Sequence, residues 1–247
     1  MFKFWGDGSD FSKSLVDAIK VRSTENFNWT FIFILAVVFY VYWSEIHKKN
    51  YPAVQAGLAL YGVHWLYEIA NAIIGKVSGY PLWSVSNNST TFILLIGVSW
   101  ELSMMFSLAG IISFKMMPAD RTKRYFARGK FKGISCKLMV AIEMALLFAL
   151  FESFLAATSN HSFIWVYNWW GVIPVFITTY IPFFLASNYV PDMKPKTRNI
   201  FLISEWALVA ILFVSRSPRE RIFQLCGKPF QQRGSASKMQ RRKNGNL

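Results

Sequence analysis

The chain turns on YGVHWLYEIANAIIG, residues 61–75. Wound as a helix, this stretch sets Tyr61, His64, Glu68, Asn71 and Gly75 at steps of three or four residues, and so along one face. Val63, Trp65, Leu66, Ile69, Ala70 and Ile73 fill the remaining faces and suit lipid or packed neighbours. A His–Glu pair one turn apart in an apolar segment is costly unless it faces a bundle interior, finds a partner or does chemistry. The polar stripe is therefore the expected centre of a site.

The rest of the chain has the composition of a membrane protein. Of 247 residues, 53% are hydrophobic and 17% aromatic, with a mean hydropathy of +0.30. These values come from long apolar runs, each able to cross a bilayer. The formal net charge of +14 falls almost wholly in loops and tail. There it marks cytoplasmic segments and makes a bilayer with anionic headgroups an expected partner. Nucleic acid is set aside as a partner because no basic helix or zinc pattern accompanies the charge. Cys136 and Cys226 are too few for a disulfide framework and belong to no C-x-x-C motif. Residues 1–26 lack the apolar core of a cleavable signal, so the first span is expected to serve as the targeting signal.

The predicted fold class is all-α, a polytopic transmembrane helix bundle of about six spans (five to seven). It follows an N-terminal segment, 1–26, and precedes a basic tail, 215–247, expected to be disordered. Within the first segment, residues 9–22 read as a short interfacial helix capped by Ser9 or Asp10. The bundle, 27–214, divides into spans at 27–43, 53–74, 90–114, 138–157, 163–187 and 199–214. Pro174 and Pro182 are expected to kink the fifth. The basic loops 44–52, 115–137 and 188–198 predict one cytoplasmic side. Sequons at Asn87, Asn88 and Asn160 predict that the loops after spans two and four lie opposite. Six crossings would then leave the basic tail on the wrong side, so a half-crossing segment, a seventh pass and a tail that breaks the rule all stay open. The expected location is an integral membrane: endoplasmic reticulum or another intracellular membrane in a eukaryote, plasma membrane in a prokaryote.

Five glutamates fall within these spans: Glu68, Glu101, Glu143, Glu152 and Glu205. Each costs roughly 2.5–3.5 kcal/mol if it faces lipid at mid-bilayer. Glu143, Glu152 and Glu205 lie towards span ends, where headgroup water or a cationic neighbour accounts for them. Glu205 is also a candidate second acid. Glu68 and Glu101 are placed deeper and are expected to be functional. A carboxyl kept from water can hold its proton at neutral pH. Such a group can protonate a carbon–carbon double bond while a second group removes a proton elsewhere. His64 would orient the Glu68 carboxyl or share its proton. Trp65, Tyr67, Trp100, Trp169, Trp170 and Tyr180 could line a pocket that stabilises a carbocation, with belt or packing roles as the alternative for most. No metal site is expected, because His47 and His161 lie in loops and leave no third ligand.

His64-x-x-x-Glu68 on the second span, Glu101 on the third and Asn168-x-Trp170-x-x-x-Pro174 on the fifth together resemble the emopamil-binding (EXPERA) sterol isomerases, over residues 54–185. The resemblance implies a membrane pocket in which the matching groups shift a sterol double bond by protonation and deprotonation, without a cofactor. The order of spans, with Glu68 on the second and Glu205 on the last, is also similar to small membrane-bound terpene cyclases. That implies the same proton-initiated chemistry on an apolar isoprenoid. Glu68 is then the expected general acid, His64 its partner and Glu101 the counter-base or cation stabiliser. Tyr61, Asn71, Trp100, Asn168 and Trp170 are expected to line the substrate pocket. The expected function is an integral-membrane isomerase or cyclase acting on an apolar lipid. Two other classes stay open: a small transporter or receptor whose glutamates bind a cation or amine, and an accessory subunit held in a larger complex by interhelical hydrogen bonds. An oligomer is compatible with each.

Overall fold

The computed structural model describes residues 2–6, 29–85, 92–128, 130, 132–158 and 163–214. The interfacial helix expected at 9–22, the three sequons and the tail 215–247 lie outside the described residues. Six helices form the body of what is described: α1 (Thr30–His47), α2 (Tyr51–Ser78), α3 (Trp100–Met116), α4 (Cys136–Thr158), α5 (Val172–Asp192) and α6 (Pro195–Val214). By length and composition α1, α4 and α5 can cross a membrane. At 17 residues, α3 is about 26 Å long, short of a hydrocarbon core of roughly 30 Å. Helix α2 is the axis and packs on α1, α3, α5 and α6. Pro52 sits in its first turn, where a missing N–H costs nothing, and Gly79 ends it with a left-handed φ of 86°.

Two expected spans start later than their apolar runs suggest. The third, expected from residue 90, begins as a helix only at Trp100, where the Ser99 side chain accepts from the Leu102 N–H at 3.2 Å. Before it, β2 (Ile93–Leu95) folds back on β3 (Val98–Ser99). The fifth, expected from residue 163, opens instead as β6 (Phe163–Trp165), and its helix starts at Val172. Strand β6 pairs antiparallel with β1 (Trp83–Val85), Trp83 opposite Trp165. A third ladder joins β4 (Arg124–Tyr125) to β5 (Ile134–Ser135). The all-α expectation is corrected to that extent: a helical bundle carrying three short two-stranded ladders.

Helix α5 is irregular for a reason visible in its sequence. It widens into a π-helical turn over Val175–Tyr180 and recovers α geometry from Ile181. Pro182 has no N–H to offer the carbonyl four residues back, Thr178, and its ring would press on it. The wider turn relieves that contact, and the released Thr178 carbonyl accepts from the Tyr67 hydroxyl at 2.8 Å. The proline thus ties α5 to α2.

Both ends of the bundle are pinned. At the basic end the buried Glu45 carboxylate pairs with Lys115 at 2.5 Å and accepts from the Asn50 amide at 2.6 Å. There too Lys137 meets Asp192 at 2.6 Å, with Arg121 at 3.8 Å from the same carboxylate. At the other end residues 2–6 run alongside the start of α5. Val172 N–H donates to the Phe4 carbonyl (3.1 Å) and Gly6 N–H to the Trp170 carbonyl (2.9 Å). In mid-bundle α2 and α3 approach at backbone distance: a Cβ on Gly110 would stand 2.6 Å from the Ala56 carbonyl oxygen. Gly110→Val is therefore expected to cost about 1–3 kcal/mol or more by overpacking, read as a lowered thermal midpoint in detergent.

Candidate functional site

A cavity of about 630 Å³, its open mouth included, lies among α2, α3, α4 and α5 under the β1–β6 ladder. The helical period of residues 61–75 brings His64 and Glu68 to its wall, 1% and 3% exposed. Their closest approach, His64 Nε2 to Glu68 Oε1, is 3.6 Å, outside hydrogen-bond reach. Glu68 Oε1 instead accepts from the Trp83 indole N–H at 3.2 Å. The His64 ring is clamped by aromatics, stacked on Phe106 at 4.3 Å and edge-on to Phe183 at 6.0 Å.

Facing this pair on the cavity wall is Glu152 of α4. Its two oxygens are both engaged: Oε1 accepts from the Trp165 indole at 2.5 Å, and Oε2 accepts from the Tyr180 hydroxyl of α5. The other side of the site is unsatisfied. Glu68 Oε2, both ring nitrogens of His64 and the Thr179 hydroxyl are buried with no hydrogen-bond partner among the described residues. Four such atoms on residues lining one cavity call for an explanation, since buried polar groups are almost always paired. The rest of the wall is apolar, chiefly Phe106, Phe148, Phe151, Phe163 and Phe183.

The other candidate residues are distributed around this cavity rather than in it. Asn71 is fully buried one turn beyond Glu68, but its amide is spent on the backbone. It donates to the Trp83 carbonyl at 2.9 Å and accepts from Leu82 N–H at 2.7 Å and Trp83 N–H at 3.5 Å. That grip delivers the Trp83 indole to Glu68. Gly97, at the β2–β3 turn, closes the same corner: a Cβ there would lie 2.4 Å from Asn71 Nδ2 and 2.6 Å from both Glu68 Oε2 and Trp83 Nε1. Tyr61 stacks behind His64 at 6.1 Å and shares a hydrogen bond of 2.8 Å with Ser103. Trp170 stacks behind Trp83 at 5.8 Å.

Glu101 is in the first turn of α3, half-buried, not at mid-span and not on the cavity wall. Trp100 packs on Phe31 at 5.5 Å. Asn168 is exposed in the turn before α5. Glu205 is buried against Gly62 on the α6 side of α2, and among the described residues neither of its oxygens has a hydrogen-bond partner. Glu143 is exposed on the outer face of α4. In the sequence Glu152 reads as a span-end acid, and Trp83 and Thr179 carry no signal of a role. The spacing of Phe148, Glu152 and Leu155, at i, i+4 and i+7, carried the signal for Glu152, because it sets an acid on an apolar helix face. Among the described residues no three of His, Cys, Asp and Glu come together to hold a metal ion.

Residues 12–216 match a family described as an uncharacterized membrane protein family, and the chain belongs to it. A protein of Archaeoglobus fulgidus, described as an uncharacterized protein, is 36% identical over 176 residues, covering 70% of this chain and 80% of the archaeal one. No solved structure matches. Neither description names an activity.

Proposed function

For this member of a membrane protein family, we propose that the cavity is the active site of an integral-membrane isomerase or cyclase. It rearranges an apolar isoprenoid- or sterol-type lipid by proton transfer between carboxyl groups. The observation that carries this reading is the asymmetry of the two buried glutamates. Among the described residues Glu68 has an oxygen with no partner, beside a partnerless imidazole, whereas Glu152 has both oxygens held by donors. The donors Trp165 and Tyr180 hold the Glu152 carboxyl in one orientation on the cavity wall, so Glu152 is suited to be the base. Each of its oxygens keeps a second lone pair for an incoming proton.

Glu68 then donates its proton to one carbon of a double bond, and the neighbouring carbon becomes cationic. The aromatic residues Phe106, Phe148, Phe183 and Tyr180 line the space in which that charge develops, and aromatic rings near a cation stabilise it. Glu152 removes a proton from the next carbon, and the double bond reforms one position along. Atoms balance without a cofactor: one proton enters, one leaves, and the formula is unchanged. Transfer of a proton back from Glu152 to Glu68 resets the site, and Tyr180 and His64 flank that path. Capture of the cation by a second double bond of the same lipid gives the cyclase variant. On this reading the six helices are six crossings, with α2, α3 and α6 held in the bilayer by α1, α4 and α5.

The test uses the purified protein in liposomes made in deuterated water, followed by mass spectrometry of the lipid that copurifies. Wild type is expected to place deuterium in an unsaturated apolar lipid, and Glu152→Gln to place none. A lipid profile equal to bulk membrane and free of deuterium in both would overturn the reading. A tightly held lipophilic amine without deuterium would transfer the site to the receptor or transporter class.

A further inference from the structure

The cavity has a direction. Its polar groups, His64, Glu68, Glu152 and Thr179, are all buried, whereas Met105 of α3 and Phe151 of α4 line it and are 41% and 48% exposed. Phe151 belongs to an outward apolar strip on α4 with Leu147, Leu150 and Phe154, all exposed, on a helix able to cross a membrane. The mouth thus opens sideways, between α3 and α4, onto a surface built for acyl chains.

The inner end also has a charge preference. Among the described residues no lysine or arginine lines the cavity, and two carboxyl groups do. A phosphate or diphosphate head would enter that end without a counter-ion, beside the Glu152 carboxylate of its own sign. A hydroxyl or an alkene meets no such penalty, and the partnerless Glu68, His64 and Thr179 atoms would accept from or donate to a hydroxyl. The space of about 630 Å³ includes the open mouth, so the enclosed end holds only part of a longer chain and the rest must trail out through the mouth.

We propose that the ligand is a single-chain lipid with an uncharged, unphosphorylated reactive end, taken from the bilayer head first between Met105 and Phe151, with its tail left in the mouth. This rests on the reading of the cavity as a lipid site and adds which lipid it takes and how the lipid lies.

Two photoreactive forms of geranylgeraniol test it, one with a diazirine next to the hydroxyl and one with a diazirine at the far end. Each is added to the full-length protein in nanodiscs, and crosslinked peptides are mapped by mass spectrometry. The hydroxyl-end probe is expected to label the segments carrying His64–Glu68 and Thr179–Phe183. The far-end probe is expected to label those carrying Met105 and Phe151. Unlabelled geranylgeraniol should displace both, and its monophosphate should do so at least about tenfold less well. Met105→Trp with Phe151→Trp should cut inner-end labelling by a similar factor. A reversed labelling pattern, equal competition by the monophosphate or an unlabelled cavity overturns the proposal. These readouts are in wild type, so a misfolded double variant leaves the test intact. Correct labelling without deuterium uptake would sink the catalytic reading alone, and deuterium uptake with reversed labelling would sink this proposal alone.

Discussion

Glu68→Gln is expected to lower turnover by about 10²–10⁴-fold, the usual worth of a positioned proton donor, while the protein stays folded and still copurifies with lipid. Glutamine has the shape of glutamate, and its carbonyl oxygen can keep the 3.2 Å bond from the Trp83 indole, so the corner built by Asn71, Trp83 and Gly97 survives. What glutamine cannot do is hand a proton to carbon. In free energy the loss is roughly 3–5 kcal/mol of barrier, far beyond what a small packing change at this position would produce. The measurement is deuterium uptake per mole of protein in liposomes, with circular dichroism and gel filtration as controls for folding. Glu101→Gln is the internal contrast. Its carboxyl is in the first turn of α3, away from the cavity wall, and turnover is expected to stay near that of wild type. If the two substitutions act alike, the assignment of the donor is wrong.

The contrast between Glu68 and Glu101 also shows how far the sequence could be read. The period of residues 61–75 places His64, Glu68 and Asn71 on the inner side of one helix, because side chains three and four apart share a face whatever the bundle around them. Depth along a span is not carried by period. Residues 92–99 are as apolar as a helix, and short apolar runs do not distinguish strand from helix. Counted as helix, they moved Glu101 to mid-span. Counted as the β2–β3 hairpin, they leave it at the start of α3.

The same error of depth demoted Glu152. The cavity lies toward the far end of α4, beneath strands that the sequence presented as loop or helix, so an acid near a span end proved to be deep in protein. Asn168 and Trp170 were separated for a related reason. The segment before Val172 is a turn, so the two lie on opposite sides of it, one exposed and one buried, and no helical face joins them.

Asn71→Ala should be the most damaging substitution outside the proton-transfer pair, with an expected loss of about 2–6 kcal/mol in stability. It strips the partners from the part-buried Leu82 N–H and the buried Trp83 carbonyl, and a buried group left unpaired costs about 1–3 kcal/mol. The consequence spreads along β1. Trp83 anchors the ladder to Trp165, stacks on Trp170 and bonds Glu68, so a loosened residue 83 frees one wall of the cavity and the orientation of its acid together. A lowered thermal midpoint is expected alongside increased quenching of tryptophan fluorescence by acrylamide and reduced turnover. Asn71→Asp is the informative companion. Its carboxylate can still accept from Leu82 N–H, but it faces the Trp83 carbonyl with no donor, so it should fall between wild type and alanine only if the N–H bond dominates. A substrate-binding role for Asn71, as its place in the polar stripe suggests, predicts the opposite separation: weaker lipid retention with an unchanged midpoint. The midpoint therefore tells whether Asn71 touches the ligand or builds the wall that does.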